Sequence, residues 1–258
     1  MNAMIANLHT HTPRCRHAVG SEEEYVQVAL DAGYKVLGFS DHTPYFFPGD
    51  YYSHMRMYPD ELEGYAATVR DLQKRYAGRI EIPLGLEVEY YPNLFPKLLP
   101  RLRDAGIEYM ILGQHWNGDE TDAEYNGYAS DREAKLEQNC NQVIDAMHTG
   151  LFTYIAHPDI VNFIGSPKVY QKHVRRLCQA AKSCNIPLEI NLLGIDEGRY
   201  YPNPLFWEVA AEEGNPVVIG MDAHTPEHVA RTEAERTALA MVQALSLELI
   251  EMPELIRI

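Results

Sequence analysis

The chain has 258 residues, 46% of them hydrophobic and 23% charged, which excludes a disordered or fibrous protein and suits one large core. Its 22 basic and 37 acidic side chains leave a formal charge of −15, which repels phosphate backbones and anionic headgroups, so nucleic acid and membrane surfaces are poor partners. No apolar run approaches the roughly 18 residues of a spanning helix, residues 1–11 lack a secretory signal pattern, and a cytoplasmic location is expected.

In chain order, the first short apolar run, residues 4–8, predicts a strand. A capping box at Ser21 to Glu24 opens a helix to about Ala32, with Gly33 as its stop. A strand at 36–40 leads into an aromatic, Pro-containing loop at 43–58, read either as a lid or as a packed surface loop. Then come a helix at 59–76, a strand at 80–86, a helix at 94–105, a strand at 109–113 and a helix at 131–150. Strands at 152–156, 187–191 and 217–221 follow, separated by helices at 167–184 and 204–213. Thr225-Pro226-Glu227 puts a hydroxyl at the cap and Pro at the first turn of a C-terminal helical region. No Gly/Ser/Pro-rich linker interrupts the series, so one domain over 1–258 is expected. The alternation predicts an α/β fold with a parallel sheet, closed into a TIM-barrel-like barrel; an open doubly wound sheet is the alternative. Cys15, Cys140, Cys178 and Cys184 form no C-x-x-C pair, so any metal is expected to be held by nitrogen and oxygen.

The chemistry lies at the ends of these strands, where a barrel enzyme gathers its reactive groups. His9 and His11 follow the first strand, Asp41 and His42 the second, Glu87 the third, His115 the fourth, His157 the fifth, and Asp222 with His224 the seventh; His17 lies in the first loop. Residues two apart on extended chain point the same way, so His9 with His11, and Asp222 with His224, can each present two groups to one ion. Even without Asp41, seven histidines and two carboxylates exceed the donors of a single zinc and predict two or three divalent ions, zinc, iron or manganese. Such a centre activates water and offsets charge on a phosphoryl or carbonyl oxygen, and its local field outweighs the distant surface acids.

The order His9-Thr-His11, His17, Ser40-Asp41-His42, Gly85-Leu86-Glu87, His115, Ala156-His157-Pro158-Asp159 and Asp222-Ala223-His224 resembles the polymerase and histidinol phosphatase (PHP) family over nearly the whole chain. With Met55-Arg56-Met57 and Glu189-Ile190-Asn191, it is most similar to the monofunctional histidinol-phosphate phosphatases. The resemblance implies a distorted seven-stranded (β/α) barrel and three ions. His9, His11, Glu87 and Asp222 would hold the first; Glu87 would bridge to a second held by His115 and His157; His17, His42 and His224 would hold the third. Glu87, Asp222 and His224 are the expected catalytic residues, and Glu89 rivals Glu87 because both face the same way. Asp41 and Asp159 are expected to orient imidazoles.

The expected reaction is hydrolysis of a small phosphate monoester, L-histidinol phosphate above others, as a step of histidine biosynthesis. A nucleotide phosphodiesterase or exonuclease and a non-catalytic metal-stabilised module are the alternatives. Arg199 is the first choice to bind the phosphate, followed by Arg14 and Arg16, because a guanidinium can engage two oxygens at once. The phosphatase branch often reads GLR where this chain has Gly194-Ile195-Asp196, and Met221 stands where a small Ser is common. Surface or helix-terminal roles are expected for His148, His173 and His228, an exposed loop position for His54, and an ordinary thiol for Cys15. Trp116 is read as a pocket wall or as rim packing.

Overall fold

The computed structural model describes residues 4–230 and 232–258. Its strands are β1 (Ala6–Asn7), β2 (Val36–Leu37), β3 (Phe39–His42), β4 (Leu84–Val88), β5 (Tyr109–Leu112), β6 (Trp116–Asn117), β7 (Glu124–Tyr125), β8 (Leu188–Asn191), β9 (Pro216–Gly220) and β10 (Glu248–Leu249). Every residue of β1 to β5, β8 and β9 is buried, as expected of parallel strands covered on both faces. All pairings among these strands are parallel: β1 with β2, β3 with β4 with β5, and β8 with β9, to which the partly exposed β10 adds in parallel. Regular ladders stop between these groups, and single parallel bridges take over at Val36 with Glu81, Leu112 with Ile155, Ile155 with Leu188, and Thr10 with Ala223. The strand expected at 152–156 is reduced to the bridges at Ile155. The antiparallel pair β6 and β7, and β10, were not expected; each strand is two residues long, too short to show an alternating pattern.

The helices are α1 (Glu22–Asp31), α2 (Leu62–Arg75), α3 (Phe95–Asp104), α4 (Glu133–Met147), α5 (Pro167–Ser183), α6 (Leu192–Asp196), α7 (Pro204–Glu213) and α8 (Thr232–Leu245). Local chemistry sets their starts. Ser21 and Glu24 close the capping box that begins α1. Asn203 accepts from Leu205 N ahead of Pro204 in α7, and Asn191 accepts from Gly194 N to open the short α6. Pro226 starts a 3-10 turn over Pro226–Ala230, and α8 is described over Thr232–Leu245, with Arg231 outside the described residues. Among the described residues no helix is long and apolar enough to cross a membrane.

Two apolar clusters hold these layers together. The larger lies where helices meet strands, with Tyr25, Val69, Leu102, Val143, Leu177 and Trp207 packed on Leu37, Leu86, Met110 and Ile190. The smaller draws Ala6, Leu8, Val36, Tyr109, Ile111, Tyr154, Ala156 and Val218 from successive strands. At roughly 1.5–3 kcal/mol for each fully buried large side chain, these clusters are the main force ordering the strand ends. The Tyr109 hydroxyl donates to the Leu8 carbonyl at 2.8 Å, so β5 is tied to the segment that carries His9.

Candidate metal centre

The strand order brings His9, His11, His42, Glu87, His115, His157, Asp222 and His224 into one cluster, with the exposed His17 at its mouth. Glu87, on β4, is its hub. Its Oε1 lies 2.8 Å from His157 Nε2 and 3.7 Å from His115 Nε2, and its Oε2 lies 3.0 Å from His42 Nδ1, 3.5 Å from His11 Nε2 and 3.7 Å from His9 Nε2. Asp222 Oδ1 lies 3.0 Å from His11 Nε2, 3.5 Å from His9 Nε2 and 3.4 Å from His224 Nδ1. The rings of His11 and His224 stack at 4.1 Å, and His17 stacks on His224 at 4.8 Å.

His157 (φ 28°) and Asp222 (φ 51°) have positive backbone angles, a conformation uncommon for residues other than glycine and one that gathers at functional sites. His9 Nε2, His11 Nε2, His42 Nδ1, His224 Nε2 and Glu87 Oε2 are shielded from solvent yet have no hydrogen-bond partner. Buried polar atoms left this way are costly, and so many at one spot fit the donor set of cations held by nitrogen and oxygen. His9, Glu87 and His157 form one triplet with mutually close donor atoms; His9, His11 and Asp222 form another; His11, His42 and His224 form a third.

Electrostatics divides the cluster. Burial acts to raise both carboxyls, but His42 and His115 around Glu87, and His9 and His11 around Asp222, hold them well below the usual carboxylate range. Burial opposes the charge of His9, yet Glu189 and Asp222 push this imidazole up to about 10. Burial prevails at His42, pulled down to about 4, and at His224, where the neighbouring His11 adds to the effect. Ionised carboxylates and neutral imidazoles are the forms that donate to a cation.

Outer groups orient these donors. Asp41 accepts from the His42 backbone and from Thr12, and its Oδ1 lies 3.5 Å from His11 Nδ1. Glu89 meets the other nitrogen of the His115 ring that Glu87 approaches, with Oε1 3.0 Å from Nδ1 and both oxygens on the buried Arg56. Asp159 departs from expectation: its Oδ2 accepts from Asn203 N and Trp207 Nε1, because the free amide at the start of α7 and a buried indole compete for it. His173, expected at the surface, is buried, with Nε2 2.8 Å from Glu133 Oε1 between α5 and α4. His228 is buried as well, and its Nδ1 accepts from the His224 backbone at 3.1 Å. Glu120 and Tyr201 were not singled out from the sequence; Glu189 and Asn191 stood only within the Glu189-Ile190-Asn191 motif, with no role given to either, and their two-residue spacing puts both polar groups on one strand face.

The three candidate arginines separate. Arg14 pairs with Glu22, and Arg16 pairs with Glu61 and lies over the Tyr58 ring, so neither is directed at the cluster. Arg199 donates to the Tyr201 hydroxyl at 2.5 Å and to Glu197, while the Tyr201 ring lies 6.1 Å from that of His157. Trp116 packs on Tyr125 at 5.3 Å and donates to Met55 Sδ. In the 43–58 loop, Tyr45 and Arg56 are buried while Tyr51 and Tyr52 are exposed, so it is a packed loop with an open tip.

The PHP domain family matches residues 7–192. A probable histidinol-phosphatase of Deinococcus radiodurans is 32% identical over 238 residues, covering 87% of this chain and 88% of that protein. The Bacillus subtilis histidinol-phosphatase is 26% identical over 250 residues, covering 84% and 92%. Among solved structures, the histidinol phosphate phosphatase of Lactococcus lactis, complexed with zinc, L-histidinol and phosphate, shares the fold with a TM-score of 0.74 at 15% identity, covering 97% of this chain and 99% of that one.

Proposed function

Because the chain belongs to the PHP family, we propose that it is a metal-dependent phosphatase that hydrolyses L-histidinol phosphate to L-histidinol and inorganic phosphate, a step of histidine biosynthesis. The observation that carries this reading is the set of buried, partnerless imidazole nitrogens around Glu87 and Asp222. The zinc, L-histidinol and phosphate held by the L. lactis enzyme supply the corresponding ligand chemistry. The single parallel bridges and the small apolar cluster drawn from successive strands support one distorted seven-stranded (β/α) barrel domain spanning 1–258.

Three holding positions are proposed: His9, His11, Glu87 and Asp222; Glu87, His115 and His157; and His17, His42 and His224. Zinc, iron or manganese bound there would supply an activated water and neutralise the phosphoryl oxygens. The chain's own residues do the rest. Arg199 binds phosphate oxygens, and the Tyr201 hydroxyl holds its guanidinium towards the His157 side of the centre. Glu189 and Glu89 fix His9 and His115 so that their Nε2 atoms face inward. Trp116 and Tyr125 wall the entrance, where aromatic rings can stack on the substrate imidazole.

The test compares phosphate release from histidinol phosphate, an aryl phosphate and a nucleotide diester by purified, metal-loaded protein. Preferred turnover of histidinol phosphate is expected. Preference for the diester would make the protein an exonuclease-type enzyme, and inertness towards all three a binding module.

A further inference from the structure

Among the described residues, Arg56 is the one arginine in the set of largest fully buried side chains, and it holds two carboxylates at once. Its Nη1 and Nη2 grip Glu89 at 2.8 and 3.0 Å, while Nε and Nη2 grip Glu120 at 2.9 and 2.5 Å. Nη1 also donates to the Thr43 carbonyl at 3.1 Å. A guanidinium removed from water at this depth persists only when fully paired, and here each fork is filled. The pairing continues at both ends. Glu89 Oε1 lies 3.0 Å from His115 Nδ1, leaving Nε2 of that ring 3.7 Å from Glu87. Glu120 Oε1 accepts from Tyr51 at the exposed tip of the 43–58 loop.

A carboxylate fixed on both oxygens by one guanidinium cannot rotate, so it sets the tautomer and the angle of the imidazole it contacts. From this geometry we infer that Arg56 is a positioning residue, acting through Glu89 to present His115 Nε2 to the centre and tying the 43–58 loop to the same ring. The inference rests on the reading of His115 as a metal holder. Glu120 would contribute by sharing the guanidinium, so that loop and ring move as one unit.

The experiment uses the full chain, stripped with a chelator and titrated with Co2+, following the visible absorption bands and the metal-to-protein ratio. Arg56→Lys keeps the charge but cannot fill both forks. It should lower the affinity for the most weakly held ion about 10–100-fold and alter the Co2+ spectrum. Glu120→Gln, which spares the grip on Glu89, should change both far less. A wild-type chain that takes up no Co2+ would overturn the metal-centre reading itself. A wild type that loads normally, beside an Arg56→Lys protein with the same affinity and spectrum, would overturn the role of Arg56 alone. If Arg56→Lys does not fold by circular dichroism, Glu89→Gln takes its place: it keeps the side-chain volume but loosens the grip, and unchanged binding by that variant overturns the inference.

Discussion

Glu189 Oε1 lies 2.8 Å from Nδ1 of His9, and neither side chain reaches solvent. The other oxygen accepts from the His157 backbone at 2.9 Å, so one carboxylate from β8 braces two candidate donors. Glu189→Gln should therefore retain the fold but lose roughly 10–100-fold in metal affinity or activity, the usual effect of removing an orienting group. Glu87→Gln should cost more, because it alters the hub itself. Elemental analysis of both variants after dialysis checks the order; equal metal content in Glu189→Gln and wild type would contradict it.

Removing metal should destabilise the protein as well as silence it. An ion bound only by the folded chain, at a free concentration a hundredfold above its Kd, adds about 2.7 kcal/mol. At roughly 2–4 °C per kcal/mol for a domain of this size, that is a rise in Tm of about 5–10 °C per ion. Differential scanning calorimetry before and after chelation measures it, and coincident transitions would count against a resident centre.

Arg199→Ala should reduce kcat/KM for a phosphate monoester by about 10- to 150-fold, corresponding to roughly 1.5–3 kcal/mol for a charged hydrogen bond. Tyr201→Phe removes the hydroxyl to which Arg199 donates and should give a smaller loss in the same direction. Arg14→Ala and Arg16→Ala, whose guanidinia already pair with Glu22 and Glu61, should stay close to wild type. Steady-state kinetics on the four variants would refute the assignment if Arg14 or Arg16 mattered more than Arg199.

Two glycines make room for the central carboxylates. A Cβ on Gly113 would come 1.8 Å from Glu87 Oε1, and one on Gly220 would come 1.7 Å from Glu189 Oε1. Alanine at either position must push that carboxylate aside, so each variant should fold yet bind less metal, with Gly113→Ala the more damaging because it moves the hub. Metal-to-protein ratios decide this, and full loading of both variants would show that the carboxylates can relocate freely.

How far the sequence could be read follows from which interactions are local. Capping at Ser21 and the Pro-led start of α5 depend on neighbouring residues and were predictable. So was the gathering of histidines at strand ends, since a buried parallel strand betrays itself as a continuous apolar run. The pairing of Arg16 with Glu61 or of Asp159 with Trp207 depends on how distant segments meet, which no periodicity encodes. Glu189 was legible only as part of a motif: its spacing from Asn191 gives a shared face, but its grip on His9, 180 positions earlier, is a product of tertiary folding.

The bridge between Thr10 and Ala223 seats His9 and His11 beside Asp222. A nascent polypeptide therefore cannot complete the first proposed cage until its last acidic member has cleared the ribosome. A premature stop anywhere ahead of that codon would yield a product lacking this cage, however well its earlier βα units had assembled.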